Sequence, residues 1–244
     1  MNIAIIPARG GSRRIPGKNI KTFHGKPMLS RTIETARIAG CFDRLIVSTD
    51  DDRIARIARD AGAEVPFRRP AELSDDHTGT TLVIAHALEW CLREGMDVSL
   101  ACCLYATAPF LEPDDILKGL ACMADPAIDY AFAVARFNAP IQRALRISAS
   151  GSLTMFDPSQ FHRRSQDLEA AWHDAAQFYW GRAQAWIEGR VIFSARSAPV
   201  ILPSFRVQDI DSPEDWQRAE VLYRVLKETA AQASGGASTP AQPA

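Results

Sequence analysis

An apolar strand that leads directly into a basic, glycine-rich loop constrains the fold of this chain more than any other feature. Residues 2–7 (NIAIIP) are rich in β-forming residues, and residues 8–19 (ARGGSRRIPGKN) follow at once. In an open α/β sheet, ligands bind where loops leave the carboxyl ends of the strands. Gly10 and Gly11 give the backbone freedom to turn several N–H groups towards one anion. The loop therefore predicts a polyphosphate site.

Positive charge is concentrated in this loop although the whole chain is nearly neutral. The basic residues in or beside it are Arg9, Arg13, Arg14, Lys18 and Lys21. The formal net charge of the 244 residues is −1, which indicates neither a nucleic-acid tract nor a membrane-binding patch. Local cations in a neutral chain favour a small, highly charged anion. The loop has neither the Walker A nor the dinucleotide spacing, and the alternative is a basic surface loop whose glycines only form turns.

Strand and helix patterns alternate along most of the chain. Strands are predicted at 3–6, 44–48, 64–67, 98–105, 130–135 and 176–180, and later at 199–202 and 205–208. Helices are predicted at 27–39, 51–61, 80–93, 114–123 and 213–227, with a short one ending at 188. Such alternation predicts a three-layer α/β fold with a mainly parallel sheet.

Two segments interrupt the alternation and define the predicted domains. Residues 138–172 are too long for a plain connection and predict an inserted arm. Residues 229–244 are uncharged and lack large apolar side chains, so they predict a disordered tail. The catalytic domain is then 1–137 together with 173–228. The start of the chain does not read as a signal peptide and no apolar run approaches the ~20 residues of a spanning helix, which predicts a cytoplasmic protein without membrane contact.

A pair of acidic residues near the C-terminus is a second candidate for chemistry. Asp209 and Asp211 alternate along an extended segment, so both side chains project to the same side. Hard carboxylate oxygens suit Mg²⁺, with Mn²⁺ as an alternative ion. The spacing equally allows that the two acids only assist in capping the helix that follows Ser212.

Two further polar loops offer ligand contacts. In residues 68–81, Arg69 has the reach to contact a phosphate or ribose, and Thr80 is a small polar residue at a helix start. Residues 105–113 follow a predicted buried strand and so lie at the ligand edge of the sheet, where Thr107 is the best polar candidate. The cysteines lack metal-site spacing and are predicted to be buried hydrophobic residues.

With these stretches together, the chain resembles the N-acylneuraminate cytidylyltransferase family, the CMP–sialic acid synthetases, and looks most like its pseudaminic acid branch. The resemblance covers about residues 3–227. The stretches that carry it, in order, are IPARGGSRRIPGKN, FDRLIVSTDD, VPFRRPAELSDDHTGT, YATAPFL, RRSQDL, HDAAQFYWG and QDIDSPEDW. The resemblance implies a nucleotide-sugar transferase (Rossmann-like) fold with a mixed sheet of about seven strands. It also implies a homodimer in which the arm, residues 138–172, closes over the partner's active site.

The resemblance further implies the reaction and the residues that serve it. CTP and a nine-carbon 2-keto acid sugar, a nonulosonic acid, would give the CMP-sugar and pyrophosphate with Mg²⁺. By matching positions, the implied catalytic residues are Arg9, Arg13, Lys18 and Asp211, and the implied metal ligands are Asp209 and Asp211. The implied nucleotide-binding residues are Ala8, Arg9, Gly10, Gly11, Ser12, Lys18, Asn19, Arg69 and Thr80. The implied sugar-binding residues are Tyr105, Thr107, Gln177 and Tyr179.

Several positions depart from the wider family. Where that family usually reads QPTSPLR this chain reads YATAPFL, so Leu111 stands in place of an arginine. Arg13 stands in place of a lysine, which keeps the charge but changes the hydrogen-bonding geometry. Gly17 stands where a basic residue is common. A CMP-neuraminate, CMP-legionaminate or CMP-Kdo synthetase is the alternative enzyme, and a non-catalytic nucleotide sensor is the alternative of a different class.

Overall fold

The computed structural model describes residues 1–235, in which strands alternate with helices. The strands are β1 (Asn2–Pro7), β2 (Thr22–Phe23), β3 (Lys26–Pro27), β4 (Arg44–Ser48), β5 (Leu100–Leu104), β6 (Tyr130–Arg136), β7 (Leu145–Ile147), β8 (Leu153–Met155), β9 (Trp172–Arg182) and β10 (Ser197–Leu202). The helices are α1 (Met28–Ala39), α2 (Asp52–Asp60), α3 (Thr80–Arg93), α4 (Pro113–Cys122), α5 (Ala183–Ile187) and α6 (Pro213–Gly235). Each helix predicted from the sequence corresponds to one of these.

A mixed, mainly parallel sheet lies at the centre of the fold, with the strand order β10-β6-β9-β5-β1-β4. β1 pairs in parallel with β4 and β5, and β6 pairs in parallel with β10. β9 alone is antiparallel, and it lies between β5 and β6. The predicted α/β fold class is therefore confirmed, with six strands in the main sheet rather than about seven.

Two predicted strands are wrong, and both lie at the margin of the sheet. Residues 64–67 contribute a single bridge, between Glu64 and Ile46. Residues 205–208 follow Pro203, which has no N–H to continue the ladder of β10, and the chain instead forms a 3₁₀ turn at Ser204–Arg206. This turn redirects the chain towards the acidic segment that precedes α6.

Alternation along the strands produces two cores, one on each face of the sheet. In β1, Ala4 and Ile6 pack with α1, α2 and α4, whereas Ile3 and Ile5 pack with α3 and α5. The predicted three layers follow from this period of two. A third buried cluster lies beyond the sheet edge and consists of Ile15, Phe23, Met28, Phe110, Ile210, Trp216 and Ala219. It joins the basic loop to the acidic segment and α6.

The chain between β6 and β9 leaves the main sheet, at the place where an inserted arm was predicted. Its strands β7 and β8 pair only with each other, as an antiparallel hairpin. The exposed apolar residues of this segment are Phe137, Ile141, Leu145, Ile147, Leu153, Phe156, Phe161 and Trp172. A dimerisation role for the arm stays a prediction.

The last helix is longer than predicted. α6 continues to Gly235, so the prediction of disorder is wrong for residues 229–235, where alanines with high helix propensity prolong the helix. The rest of the predicted tail, residues 236–244, lies outside the described residues. Within residues 1–235, none of the helices has the length and apolar character needed to cross a membrane.

Candidate active site

A cleft of about 480 Å³ opens at the carboxyl edge of the sheet, where β1 and β5 end. Its walls come from the basic loop, from residues 75–80, from the segment after β5 and from Asp211. Of the predicted site residues, those that line it are Arg9, Ser12, Arg13, Lys18, Asn19, Thr80, Tyr105, Thr107 and Asp211. The fold thus brings together groups from four separate stretches of the chain.

The glycines of the basic loop serve different purposes: Gly10 allows close packing, and Gly17 adopts a left-handed backbone angle. Neither Gly10 nor Gly11 has a left-handed φ, so the expected conformational freedom is not used there. A Cβ at Gly10 would lie 2.8 Å from Asp51 Oδ2, and the Gly10 N–H donates to Asp50 Oδ1 at 2.9 Å. The left-handed residue is Gly17, with φ 64°, which begins the 3₁₀ turn Lys18–Ile20. The loop is therefore seated on the start of α2.

Side-chain contacts fix the two ends of the loop. Asn19 Nδ2 donates to the carbonyl of Arg9 at 2.9 Å, which closes the loop on itself. Ala8 is buried at the end of β1 and its N–H donates to the Ser48 carbonyl at 2.9 Å. The loop is thus held at both ends while its basic side chains face the cleft.

Two carboxylates pair with the cations of the cleft. Asp76 contacts Arg9 and lies 2.9 Å from Arg13 Nε. Asp211 Oδ1 lies 3.0 Å from Arg14 Nη2 and 3.4 Å from Lys18 Nζ. Each of these four cations is therefore in direct ionic contact with a carboxylate.

The acidic segment is held rigidly by its neighbours. Ile210, between the two acids, is fully buried in the third cluster, and its carbonyl accepts a hydrogen bond from Lys18 Nζ at 2.5 Å. The cap of α6 is formed by Ser212 and Asp215: Ser212 N–H donates to Asp215 Oδ2 at 2.8 Å, and Asp215 N–H donates to Ser212 Oγ at 3.2 Å. Asp211 joins this cap through its backbone N–H, which donates to Asp215 Oδ2 at 3.2 Å, while its side chain faces Lys18 and Arg14.

The chemistry of this acidic pair fits a divalent cation. Protein packed around Asp209 raises the pKa of its carboxyl, and the nearby negative charge of Asp211 raises it further. Two like charges in proximity with hard oxygen donors favour a bound cation. Within residues 1–235 no group of three or more such ligands is gathered, so water and phosphate oxygens would complete the coordination of a cation held here. Mg²⁺ commonly binds in this manner.

Arg69 lies beneath the cleft rather than in its wall. It is 4% exposed, and its guanidinium donates to the Ser48 carbonyl and, through Nε, to Ser48 Oγ at 3.1 Å. Burial lowers the pKa of Arg69 to about 10, and the nearby charge of Arg9 acts in the same direction. Its visible contacts fasten the end of β4, and a direct nucleotide contact stays a prediction.

The predicted sugar-binding residues fall into two groups. Tyr105 and Thr107 line the cleft, whereas Gln177 and Tyr179 are buried in β9. The Tyr179 hydroxyl donates to Asp174, and burial raises the pKa of Tyr105 to about 12. These phenols therefore stay protonated near neutral pH.

The buried amide of Gln177 connects β9 to the turn that precedes the acidic segment. Gln177 Nε2 donates to the Arg206 carbonyl at 2.7 Å, while its buried Oε1 has no hydrogen-bond partner among residues 1–235. A sugar contact through Gln177 or Tyr179 stays a prediction.

Sequence reasoning missed Asp75 and Asp76, and it placed Arg14 in the loop without a role. The two acids precede Thr78 and α3 in the run LSDDHTGT, of which only Thr80 was predicted to contact a ligand. The sequence did contain a signal. Two adjacent carboxylates precede a helix at the ligand edge of the sheet, and the first loop of the chain carries several arginines that need acidic partners. Charge complementarity between the two loops would have placed them together.

Comparisons with known proteins identify relatives over nearly the whole chain. A family model described as cytidylyltransferase matches residues 3–232. The chain is 42% identical over 229 residues to a pseudaminic acid cytidylyltransferase of Campylobacter jejuni, an alignment that covers 94% of this chain and 99% of that protein. It is 30% identical over 236 residues to a CMP-N,N'-diacetyllegionaminic acid synthase of Legionella pneumophila, which covers 93% and 97% respectively.

Among solved structures, one of a CMP:2-keto-3-deoxy-manno-octonic acid synthetase complexed with CTP has a TM-score of 0.68. The superposition covers 91% of this chain and 98% of that one at 18% identity. At this identity the likeness concerns the fold alone, and it agrees with the mixed sheet described above.

Proposed function

The chain belongs to the cytidylyltransferase family, and from this premise we propose that it transfers CMP from CTP to pseudaminic acid, a nine-carbon 2-keto acid sugar, with release of pyrophosphate. The named activity of the 42% identical relative supports the choice of sugar. The observation that carries the proposal is the arrangement of the cleft, in which Lys18 and Arg14 face Asp211 across 3.4 and 3.0 Å. Cations for a triphosphate and a carboxylate for a counter-ion lie in one cavity.

The proposed reaction is an in-line attack by the anomeric hydroxyl of the sugar on the α-phosphorus of CTP, in which a new O–P bond forms and the hydroxyl proton passes to solvent water. As the bond from the α-phosphorus to the pyrophosphate breaks, negative charge builds on the departing oxygens. Arg9, Arg13 and Lys18, which line the cleft, are proposed to stabilise that charge. Most of the protein's contribution is to hold two anionic substrates, which repel each other, in a reactive arrangement.

Asp209 and Asp211 are the residues proposed to hold a divalent cation, Mg²⁺ or alternatively Mn²⁺. When bound, such a cation neutralises phosphate charge and lowers the pKa of the attacking hydroxyl. Thr80, Ser12 and Asn19 are proposed to position the nucleotide, and Tyr105 and Thr107 the sugar, since all of them face the cleft.

One experiment tests the proposal directly. The protein is incubated with CTP, Mg²⁺ and, separately, pseudaminic, legionaminic, neuraminic and Kdo-type sugars, and both pyrophosphate and product mass are measured. We expect the CMP-sugar from pseudaminic acid, and Asp211→Asn should lower turnover by at least ~100-fold while the fold is retained. Product from legionaminic acid alone would move the assignment to the activity named for the 30% identical relative. Nucleotide binding without pyrophosphate from any sugar would favour a non-catalytic sensor.

A homodimer is part of the proposal. Support comes from the arm, residues 138–172, which presents exposed apolar side chains on a hairpin outside the main sheet. Clustered apolar surface of this kind is typical of protein contact sites.

A further inference from the structure

Asp76 occupies the cations on which the proposed triphosphate site depends. Its Oδ1 accepts a hydrogen bond from Arg9 Nη1, and its Oδ2 lies 2.9 Å from Arg13 Nε. Each carboxylate oxygen thus contacts a different arginine. These are two of the three cations proposed to stabilise the departing pyrophosphate. A phosphate oxygen that binds either guanidinium must therefore compete with the Asp76 carboxylate for the same N–H donors.

The turn that contains Asp76 directs its side chain towards the basic loop. Asp75 Oδ1 accepts hydrogen bonds from the backbone N–H of His77 at 3.0 Å and of Thr78 at 2.7 Å, and from Thr78 Oγ1 at 2.7 Å. Thr78 Oγ1 also lies 3.1 Å from the carbonyl of Glu72, which ties the turn to the preceding segment. Asp75 organises the turn, and the next residue is left to face the arginines.

The charges favour a reversible contact, in which a triphosphate can replace the Asp76 carboxylate at Arg9 and Arg13. The pKa of Asp76 is held below its usual range by its hydrogen bond with Arg9 and by the charge of Arg13, so the group is anionic at neutral pH. Its side chain is 29% exposed, and exposed ion pairs are individually weak. A triphosphate carries several charges where Asp76 carries one, so it can displace the carboxylate.

We propose that Asp76 is an intramolecular competitor for the phosphate-binding arginines, which lowers affinity for the triphosphate of CTP and returns to Arg9 and Arg13 as pyrophosphate leaves. The inference rests on the proposed cytidylyl transfer. Thr80 at the start of α3 lies only four residues beyond Asp76, so movement of the turn reaches a residue of the cleft wall. Asp76 thereby contributes to product release as well as to substrate affinity.

Titration calorimetry tests the competition. Wild type, Asp76→Asn and the matched control Asp52→Asn are titrated with sodium pyrophosphate and with CTP, each with and without Mg²⁺. Asp52 pairs with Arg68 at 2.8 Å outside the cleft, so its variant makes the same change in net charge. We expect Asp76→Asn to bind both ligands about three- to tenfold more tightly, the range for one or two partly exposed ion pairs, and Asp52→Asn to bind like wild type. Damage to the fold would not tighten binding.

The outcomes separate the inference from the proposed function. Equal or weaker binding by Asp76→Asn, including weaker binding only with Mg²⁺, overturns the inference, since Asp76 would then be neutral or a ligand. If wild type bound neither CTP nor pyrophosphate, the proposed function would fail and the inference with it. Asp76→Ser is the second variant if the first does not fold. In turnover, the inference requires Asp76→Asn to lower KM for CTP and also kcat, because pyrophosphate leaves more slowly; an unchanged kcat overturns the release role.

Discussion

Lys18 is the most confined of the cations that pair with a carboxylate in the cleft. Its side chain is 19% exposed, against 68% for Arg14 and 85% for Arg13. Its ammonium group is held by the Ile210 carbonyl and lies near Asp211. A charge that is already oriented needs little reorganisation when substrate charge develops, and preorganised charge of this kind contributes most to catalysis.

Replacing Lys18 by alanine should therefore lower kcat/KM for CTP by about 100- to 1,000-fold, the usual loss for one preorganised donor. The rate of pyrophosphate release in the presence of sugar is the measurement. Lys26→Ala is the control, because Lys26 pairs with Glu34 on α1 outside the cleft and its variant should keep wild-type kinetics. A Lys18→Ala enzyme within threefold of wild type would remove Lys18 from the reaction.

At the scale of elements, the active-site segments depend on close packing behind them. Helix α4 approaches β9 through Gly119, where a Cβ would lie 2.6 Å from Trp180 Cδ1 and 2.7 Å from Phe178 Cε2. The indole of Trp180 donates to the Ile116 carbonyl at 2.9 Å, which fixes the helix against the strand. There is no room for a methyl group unless helix and strand separate.

Gly119→Ala should accordingly destabilise the fold by about 1–3 kcal/mol, the usual penalty for overpacking, despite the gain in helix propensity. Denaturant unfolding measures this effect. Gly79→Ala is the matched control, because in the described part of the chain no atom beyond its sequence neighbours lies within 4 Å of a Cβ added there, and its φ is −67°. Equal stability of the two variants would contradict the packing seen between α4 and β9.

Ion pairs of Asp129 also connect secondary-structure elements. They join the start of β6 to the start of β10 and to the segment after α5. Its carboxylate lies 2.6 Å from Arg196 Nε and 3.0 Å from Arg190 Nη1. The hydrogen bond with Arg196, with the charges of both arginines, holds the pKa of Asp129 below its usual range. A lowered folded-state pKa gives stability that is present above the unfolded pKa and lost as pH falls through the folded one.

Asp129→Asn should then lower the free energy of unfolding by about 2 kcal/mol at pH 7, the typical contribution of hydrogen bonds to a charged group. The difference from wild type should shrink as the pH falls below about 4, where the wild-type carboxylate is progressively protonated. Urea unfolding at pH 7, 5 and 3 measures it. A difference that stayed constant across this range would show that charge has no part in the contact.

Some elements of this molecule can be predicted from short stretches of its sequence, and others cannot. The basic loop, the acidic pair and the helices were predictable because charge, spacing and apolar period are written in short stretches. The pairing of Asp76 with Arg9 was not, because 66 intervening residues must first fold to bring the two loops together. The sequence predicted that Gly10 is needed for backbone freedom. Its actual role, close packing against Asp51, is a tertiary contact that the local sequence does not reveal. The failed strand at 205–208 likewise depends on Arg206, whose guanidinium reaches Asp115 of α4.

At the scale of the whole molecule, the arm carries several large apolar side chains that are exposed and close together in the chain. Ile147 is 73% exposed, Phe156 64% and Leu153 61%, all in or beside the β7–β8 hairpin. A two-stranded hairpin alone is marginally stable in water, so a contact that buries its apolar side chains would stabilise both the hairpin and the assembly. The proposed homodimer meets that need by burying the arm against a second copy of the chain.

Ile147→Lys should therefore convert the proposed dimer to a monomer, because a charge placed in an apolar interface must be desolvated on association. Light scattering after gel filtration gives the mass, and the same fractions are assayed with CTP and sugar. Ile38→Lys is the matched control, since Ile38 is 68% exposed on α1, away from the arm. If the arm closes over the partner's cleft, monomer formation and loss of turnover should coincide in Ile147→Lys and be absent in Ile38→Lys. A wild-type monomer, or an Ile147→Lys variant of unchanged mass, would contradict the dimer; a fully active monomeric variant would leave the arm a structural contact with no part in the reaction.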